Sequence, residues 1–194
     1  MELVRSPLLM NQDDTALMII DIQEKLLPHI REHQRLIWNS KRLIEGATAL
    51  GVEIMVSEQY PKGLGGTHEE IIQALGPDFG QRSEKTMFSC RECSTLIENL
   101  SNKQIRNVLL AGIEAHVCVM QTAMDLLAAG FDVYVCNDAV GSRFENDFDT
   151  AMARMQACGV TLVTTEMALF EWCERAGSDQ FKAISAIVRD KFSS

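Results

Sequence analysis

The sequence predicts an α/β protein of three layers, α/β/α, built on a doubly wound, six-stranded parallel sheet. Three observations carry this. Five apolar runs of four or five residues, rich in Val, Ile and Leu, recur with little alternation. That is the pattern of strands buried on both faces of a parallel sheet. Stretches with helical spacing separate the runs, so strands alternate with helices and right-handed crossovers follow. Each run stops at a polar residue or a glycine, the punctuation expected where a buried strand meets its loop.

The elements follow in order. Residues 16–20 form the first run and end at Asp21. Residues 32–50 place Leu36, Ile37, Leu43, Ile44 and Ala47 at helical spacing, and Gly51 supplies a C-terminal stop. The second run, 52–56, ends at Ser57, and a polar stretch at 82–85 is read as a further short strand that completes six. The run at 108–111 ends at Gly112. Residues 117–129 carry Asp125 as their only charge before Gly130, so this helix is expected to be largely buried. The run at 133–136 ends at Asn137 and Asp138. A helix over 146–158 takes Asn146 or Asp147 as its cap and stops before Gly159. The last run, 160–163, ends at Thr164 and Thr165, and a final helix covers about 179–191.

The 194 residues suit one domain spanning 1–194, with a core at about 14–172. The net charge of −9 argues against nucleic acid and anionic membranes as partners. No apolar run approaches the ~20 residues that cross a bilayer. The opening string MELVRSPLLMNQDD lacks a signal-peptide core, so a cytoplasmic location is expected. Without a secretion signal, the six cysteines read as free thiols rather than a disulfide framework. Cys136 and Cys158, in apolar-rich segments, read as small buried hydrophobes.

In open parallel sheets, ligands bind beyond the carboxyl ends of the strands. The residues just after each run are therefore the ones to interrogate. Asp21 is a strand-end aspartate, a type that often does no more than form a turn. Lys85 lies in SEKTMFS, and a lone lysine is usually a solvated charge. Cys118 begins the apolar helix, where a thiol is either a buried core residue or, at the positive end of the helix dipole, an activated nucleophile. Together they make a mechanism. A cysteine nucleophile needs a base, which Asp21 supplies, and a cation that favours the thiolate, which Lys85 supplies.

The strings ALMIIDIQEKL, SEKTMFS and LLAGIEAHVCVMQTAMDLLAAGFDVYVCNDAVGSR resemble the isochorismatase-like (cysteine hydrolase) superfamily. EQYPKGLG and GIEAHVC are similar to its isochorismatase domain-containing branch. The resemblance implies a Rossmann-like fold and a catalytic triad of Asp21, Lys85 and Cys118. It implies a non-proline cis peptide between Ile113 and Glu114, and an oxyanion hole from the backbone N–H groups of Glu114 and Cys118. It also implies a homo-oligomer. Zinc-dependent nicotinamidases of the superfamily carry an Asp-x-His motif where this chain reads SEQYPKGLGG, so no metal and no cofactor are expected. Isochorismatases proper lack the cysteine, so Cys118 points away from vinyl-ether cleavage. Relatives often have Thr and Asp where this chain has Ala115 and His116, so contacts near the nucleophile are expected to differ.

Gln23, Tyr60, Leu64, Phe88, His116 and Thr122 are candidate substrate or positioning residues. Gln23 would hydrogen-bond Asp21 or substrate, Tyr60 and Leu64 would sit on a mobile flap, and Phe88 would wall the pocket. His116 is two residues from the nucleophile, and Thr122 lies one helical turn below Cys118 and would anchor a loop. Asp138 reads as a structural turn with Ser142 and Arg143. Gly63, Gly65 and Gly66 lack the following GK[ST] of a phosphate loop. His29 and His33 lack an HExxH context, and Cys90 and Cys93 form one CxxC with no second pair. The expected function is a small-molecule hydrolase that cleaves a C–N bond through a Cys118 thioester. A non-catalytic binding protein and a thiol redox sensor are the rivals.

Overall fold

The computed structural model describes residues 4–77, 79–80 and 82–192. Six strands, all parallel, form one sheet: β1 (Thr15–Ile20), β2 (Glu53–Gln59), β3 (Arg82–Lys85), β4 (Asn107–Ile113), β5 (Asp132–Gly141) and β6 (Thr161–Val163), in spatial order β3-β2-β1-β4-β5-β6. The order reverses direction between β1 and β4, which makes the crevice beyond their carboxyl ends the place for a ligand.

The alternation of side chains along each strand feeds two cores. Leu17, Ile19, Leu109, Ala111, Tyr134 and Val163 pack with α1 (His33–Leu50), α3 (Glu69–Leu75), α7 (Thr165–Cys173) and α8 (Asp179–Arg189). Ala16, Met18, Ile20, Val108, Leu110 and Val135 pack with α4 (Ser94–Asn102), α5 (Met120–Ala128) and α6 (Glu145–Ala157). Every residue of β1 is buried, as an apolar run without alternation requires. A four-residue helix, α2 (Pro61–Leu64), follows β2. Among the described residues, no helix is long and apolar enough to cross a membrane.

Several boundaries differ from the sequence reading. β2 runs past Ser57 to Gln59, and β5 runs past Asp138 to Gly141. The β2 extension is polar, and β5 passes through polar Asn137 and Asp138 before Ala139 and Val140, so hydropathy alone ends the strands too soon. Asp138 is therefore a strand residue rather than part of a turn with Ser142 and Arg143. Its Oδ1 accepts from the Thr165 N–H and Oγ1 at 2.8 and 3.0 Å and ties β5 to α7. The residue before α6 is Phe144, which lends no side-chain cap, so neither Asn146 nor Asp147 is the cap. Helix α5 buries Thr122, Ala123 and Leu126, while Gln121 and Ala128 are exposed, so only one face is fully covered. Cys136 is buried, but Cys158 is exposed just after α6. Gly51 closes α1 in the left-handed region, φ +75°.

Candidate active site

Asp21 follows β1, Lys85 ends β3, and Cys118 follows β4. The fold brings the first two into contact: Lys85 Nζ lies 2.6 Å from Asp21 Oδ2, with neither side chain exposed. Asp21 adopts φ +53°, a region that aspartate tolerates better than most side chains. Its N–H donates to the Ser57 carbonyl at 3.1 Å, and its Oδ1 accepts from Ser57 Oγ at 2.8 Å.

An ammonium has three donors, and Lys85 uses all of them. They go to Asp21 Oδ2, to Gln59 Oε1 at 2.7 Å and to the Phe88 carbonyl at 2.9 Å. Burial works against the charge. The Asp21 carboxylate, with Cys118 and Cys90 behind it, outweighs burial and raises the Lys85 pKa above its ordinary 10.5. The residue is a fixed cation.

Cys118 sits in a π turn, Ala115–Val119, that leads directly into α5. The Glu114 carbonyl accepts from both the Val117 and Val119 N–H groups. The peptide between Ile113 and Glu114 is cis. Gly112 is needed one residue earlier. It has φ +126°, and an added Cβ would lie 2.0 Å from the Ile20 carbonyl oxygen. β1 and β4 approach this closely only because no side chain intervenes.

The helix-terminus argument favoured a ready thiolate at Cys118. The structure reverses the sign. Burial, and then the Asp21 charge, push the thiol pKa well above the ordinary value, with Lys85 opposing. At 6% exposure the loss of water disfavours the charged form. Both effects favour the protonated thiol over the thiolate.

The remaining candidates separate. Gln23 is wholly buried, and its amide is committed to backbone: Nε2 donates to the Gln59 and Gly65 carbonyls, and Oε1 accepts from the Gln59 N–H. Its side chain reaches neither Asp21 nor open space, though its backbone N–H donates to the Asp21 carbonyl at 2.8 Å, so the structure gives it a tethering place. The segment after β2 is correspondingly bound down rather than a free flap. Glu24 N–H donates to the Gly66 carbonyl, Lys25 N–H to that of Leu64, and Thr67 to Glu58. Tyr60 and Leu64 lie on this held segment, with Tyr60 at φ +37° and 55% exposed. A bulky side chain there is strained.

Phe88 is 52% exposed and lines a cavity of about 700 Å³ with Met87, Met120 and Met124. A second cavity, of about 280 Å³, is lined by Leu26, His29, Ile30, Glu114 and Arg143. The two touch the chain on either side of Cys118. A third, of about 370 Å³, lies against Arg31, Asn137 and Phe144, and none of these three cavities is lined by Asp21, Lys85 or Cys118 themselves. His116 turns its Nδ1 to Ser142 Oγ at 3.0 Å and its Nε2 toward Asp147 at 3.8 Å. Thr122 Oγ1 accepts from the Cys90 N–H at 3.0 Å and so anchors the loop before α4. Among the described residues, no group of three or more His, Cys, Asp or Glu side chains is placed to hold a metal ion.

Sequence reasoning missed Ser57, Gln59 and Cys90. All three touch the Asp21–Lys85 pair directly or through one atom. Ser57 and Gln59 stand among the residues that follow the second run, but nothing in the sequence pairs them with Asp21 and Lys85. Their register against Ile20 and Lys85 is what brings them in.

A doubly wound α/β protein with a buried Asp–Lys pair and a cysteine at its switch point is one kind of molecule, and comparison with known proteins says which. The model of the isochorismatase domain matches residues 15–167, and the chain belongs to that family. Isochorismatase family protein 1B of Dictyostelium discoideum is 35% identical over 183 residues, 92% of this chain and 88% of the relative. Isochorismatase domain-containing protein 2A of Mus musculus is 36% identical over 180 residues, covering 92% and 84%. A solved structure described as MAR1 ribonuclease from Caenorhabditis elegans superposes with a TM-score of 0.88 at 35% identity, over 95% and 94% of the two chains.

Proposed function

We propose that the chain is a hydrolase of small molecules that cleaves an amide or carbamoyl-type C–N bond through a thioester on Cys118. One observation carries the reading: a fully buried Asp21–Lys85 ion pair sits at the same carboxyl edge of the sheet as a cysteine that is 6% exposed. Family membership supports the broader class, a hydrolase.

The steps follow from the groups present. Asp21 takes the thiol proton as Cys118 Sγ attacks the carbonyl carbon. Lys85 holds the Asp21 carboxylate and offsets the negative charge that moves onto sulfur. The backbone N–H groups of Glu114 and Cys118 receive the developing oxyanion. The C–N bond breaks, and Asp21 returns its proton to the leaving amine. Water then attacks the thioester while Asp21 accepts its proton. The acid is released, and the thiol is restored. Tyr60 and Phe88, the exposed aromatics that flank Lys85, are the side chains proposed to meet substrate.

The name of the Caenorhabditis elegans structure raises RNA hydrolysis as a second reading. The net charge of −9 argues against a polyanionic substrate. One experiment separates them: a panel of amides, carbamoyl compounds and single-stranded RNA, run on wild type beside Cys118→Ala. The proposal expects turnover of at least one C–N substrate, lost in the variant. RNA cleavage that survives Cys118→Ala, with every C–N substrate inert, would sink it.

A further inference from the structure

Cys90 has no part in the chemistry above, yet one hydroxyl separates it from Asp21. It is wholly buried, and its Sγ lies 3.5 Å from Ser57 Oγ, which lies 2.8 Å from Asp21 Oδ1. We propose that Cys90 and Ser57 form a donor relay that positions Asp21: the Cys90 S–H donates to Ser57 Oγ and commits the single Ser57 proton to Asp21 Oδ1.

The argument is one of proton counting. A serine hydroxyl carries one hydrogen and two lone pairs. With that hydrogen on Asp21, the Ser57 oxygen can only accept from Cys90, so the sulfur is the donor. A neighbour without a hydrogen to give would compete with Asp21 for the Ser57 proton. The Cys90 backbone is pinned for this task. Its N–H donates to Thr122 Oγ1 at 3.0 Å, and its carbonyl accepts from the Cys93 N–H at 2.9 Å. Asp21 is then held at both oxygens, by Ser57 on Oδ1 and by Lys85 on Oδ2, and cannot rotate without breaking one bond. Cys90 and Ser57 are positioning residues, since neither meets substrate.

This inference rests on Asp21 acting as the base for Cys118. The test is the rate at which iodoacetamide alkylates Cys118 at neutral pH, resolved by peptide mass spectrometry, which needs no substrate. Ser57→Ala is expected to slow the reaction about tenfold, as loss of a hydrogen bond to a charged group would. Cys90→Ala should slow it about threefold or more, whereas Cys90→Ser, which keeps a donor, should stay within about twofold of wild type. In a Ser57→Ala background, Cys90→Ala should add nothing, because the link it acts through is gone. The relay is overturned if Cys90→Ser is as slow as Cys90→Ala, or if Cys90→Ala has its full effect without Ser57. Melting temperatures measured beside the rates guard the result: slowing that tracks lost stability rather than the donor at position 90 also overturns it. Asp21→Asn separates the two levels. If it slows alkylation while the relay variants do not, only the relay fails. If it leaves the rate unchanged or raises it, as mere removal of the charge that disfavours the thiolate would, the reading of Asp21 as base fails.

Discussion

Lys85 Nζ and Asp21 Oδ2 are 2.6 Å apart, and neither side chain is exposed to solvent. A buried ion pair is stable only when its remaining donors and acceptors are met, and here they are, through Gln59, Phe88 and Ser57. Removing one partner leaves the other charged and alone. Lys85→Met should therefore cost about 3–5 kcal/mol of folding stability. A urea denaturation curve reads it, and a loss below about 1 kcal/mol would mean that Asp21 is not held as described.

Gly112→Ala should damage the site from a distance. The added Cβ would meet the Ile20 carbonyl at 2.0 Å, and φ +126° is strained for any side chain. Overpacking and backbone strain together predict a loss of about 3 kcal/mol or more. Calorimetry on the purified variant checks this, and wild-type stability would refute the close approach of β1 and β4.

Gln23→Ala should release the segment after β2. Three hydrogen bonds from one buried amide join Gln23 to Gln59 and Gly65. Their loss should raise amide hydrogen exchange across residues 59–66 and cost about 2–4 kcal/mol. Unchanged exchange there would show that the other backbone ties suffice.

Stability should fall on the alkaline side. Cys118, Cys93 and Cys136 all hold their protons more tightly folded than the ordinary 9.0 for a thiol, mostly through burial, although for Cys93 its bond to Cys90 comes first. A raised folded pKa gives stability that is fully present below the unfolded value and lost as pH rises through the folded one. The decline should begin near pH 9, and Lys85 should add to it above 10.5. Cys90, lowered by its bond from Cys93, works in the opposite direction and softens the slope. Denaturation midpoints at pH 7, 9 and 10 measure it. A rising midpoint would contradict the burial of these thiols.

The sequence was most legible where hydropathy decides structure. β1 is a run of six buried residues, and its end at Asp21 could be placed to the residue. β3 was readable despite its polar RSEK because topology needed a strand there. Helices α4 and α7 went unread: they are nine residues each, and their apolar spacing is short. Family motifs marked Asp21, Lys85 and Cys118, but no motif marked Ser57 or Cys90. Their role depends on side chains meeting across 33 residues of chain, which spacing does not reveal. Cys118 was misjudged in one respect. A sequence shows that a thiol opens a helix, but not how deeply it is buried, and burial works against the thiolate.

The central claim is that Cys118 carries the acyl group. The most direct measurement is rapid-quench mass spectrometry of the protein during turnover of the best C–N substrate in the panel. The account predicts a transient gain equal to the acyl mass on the peptide containing Cys118, absent in Cys118→Ala, which should also lose at least about 10³-fold in rate. Full turnover by Cys118→Ala, or an acyl group found on another residue, would contradict it.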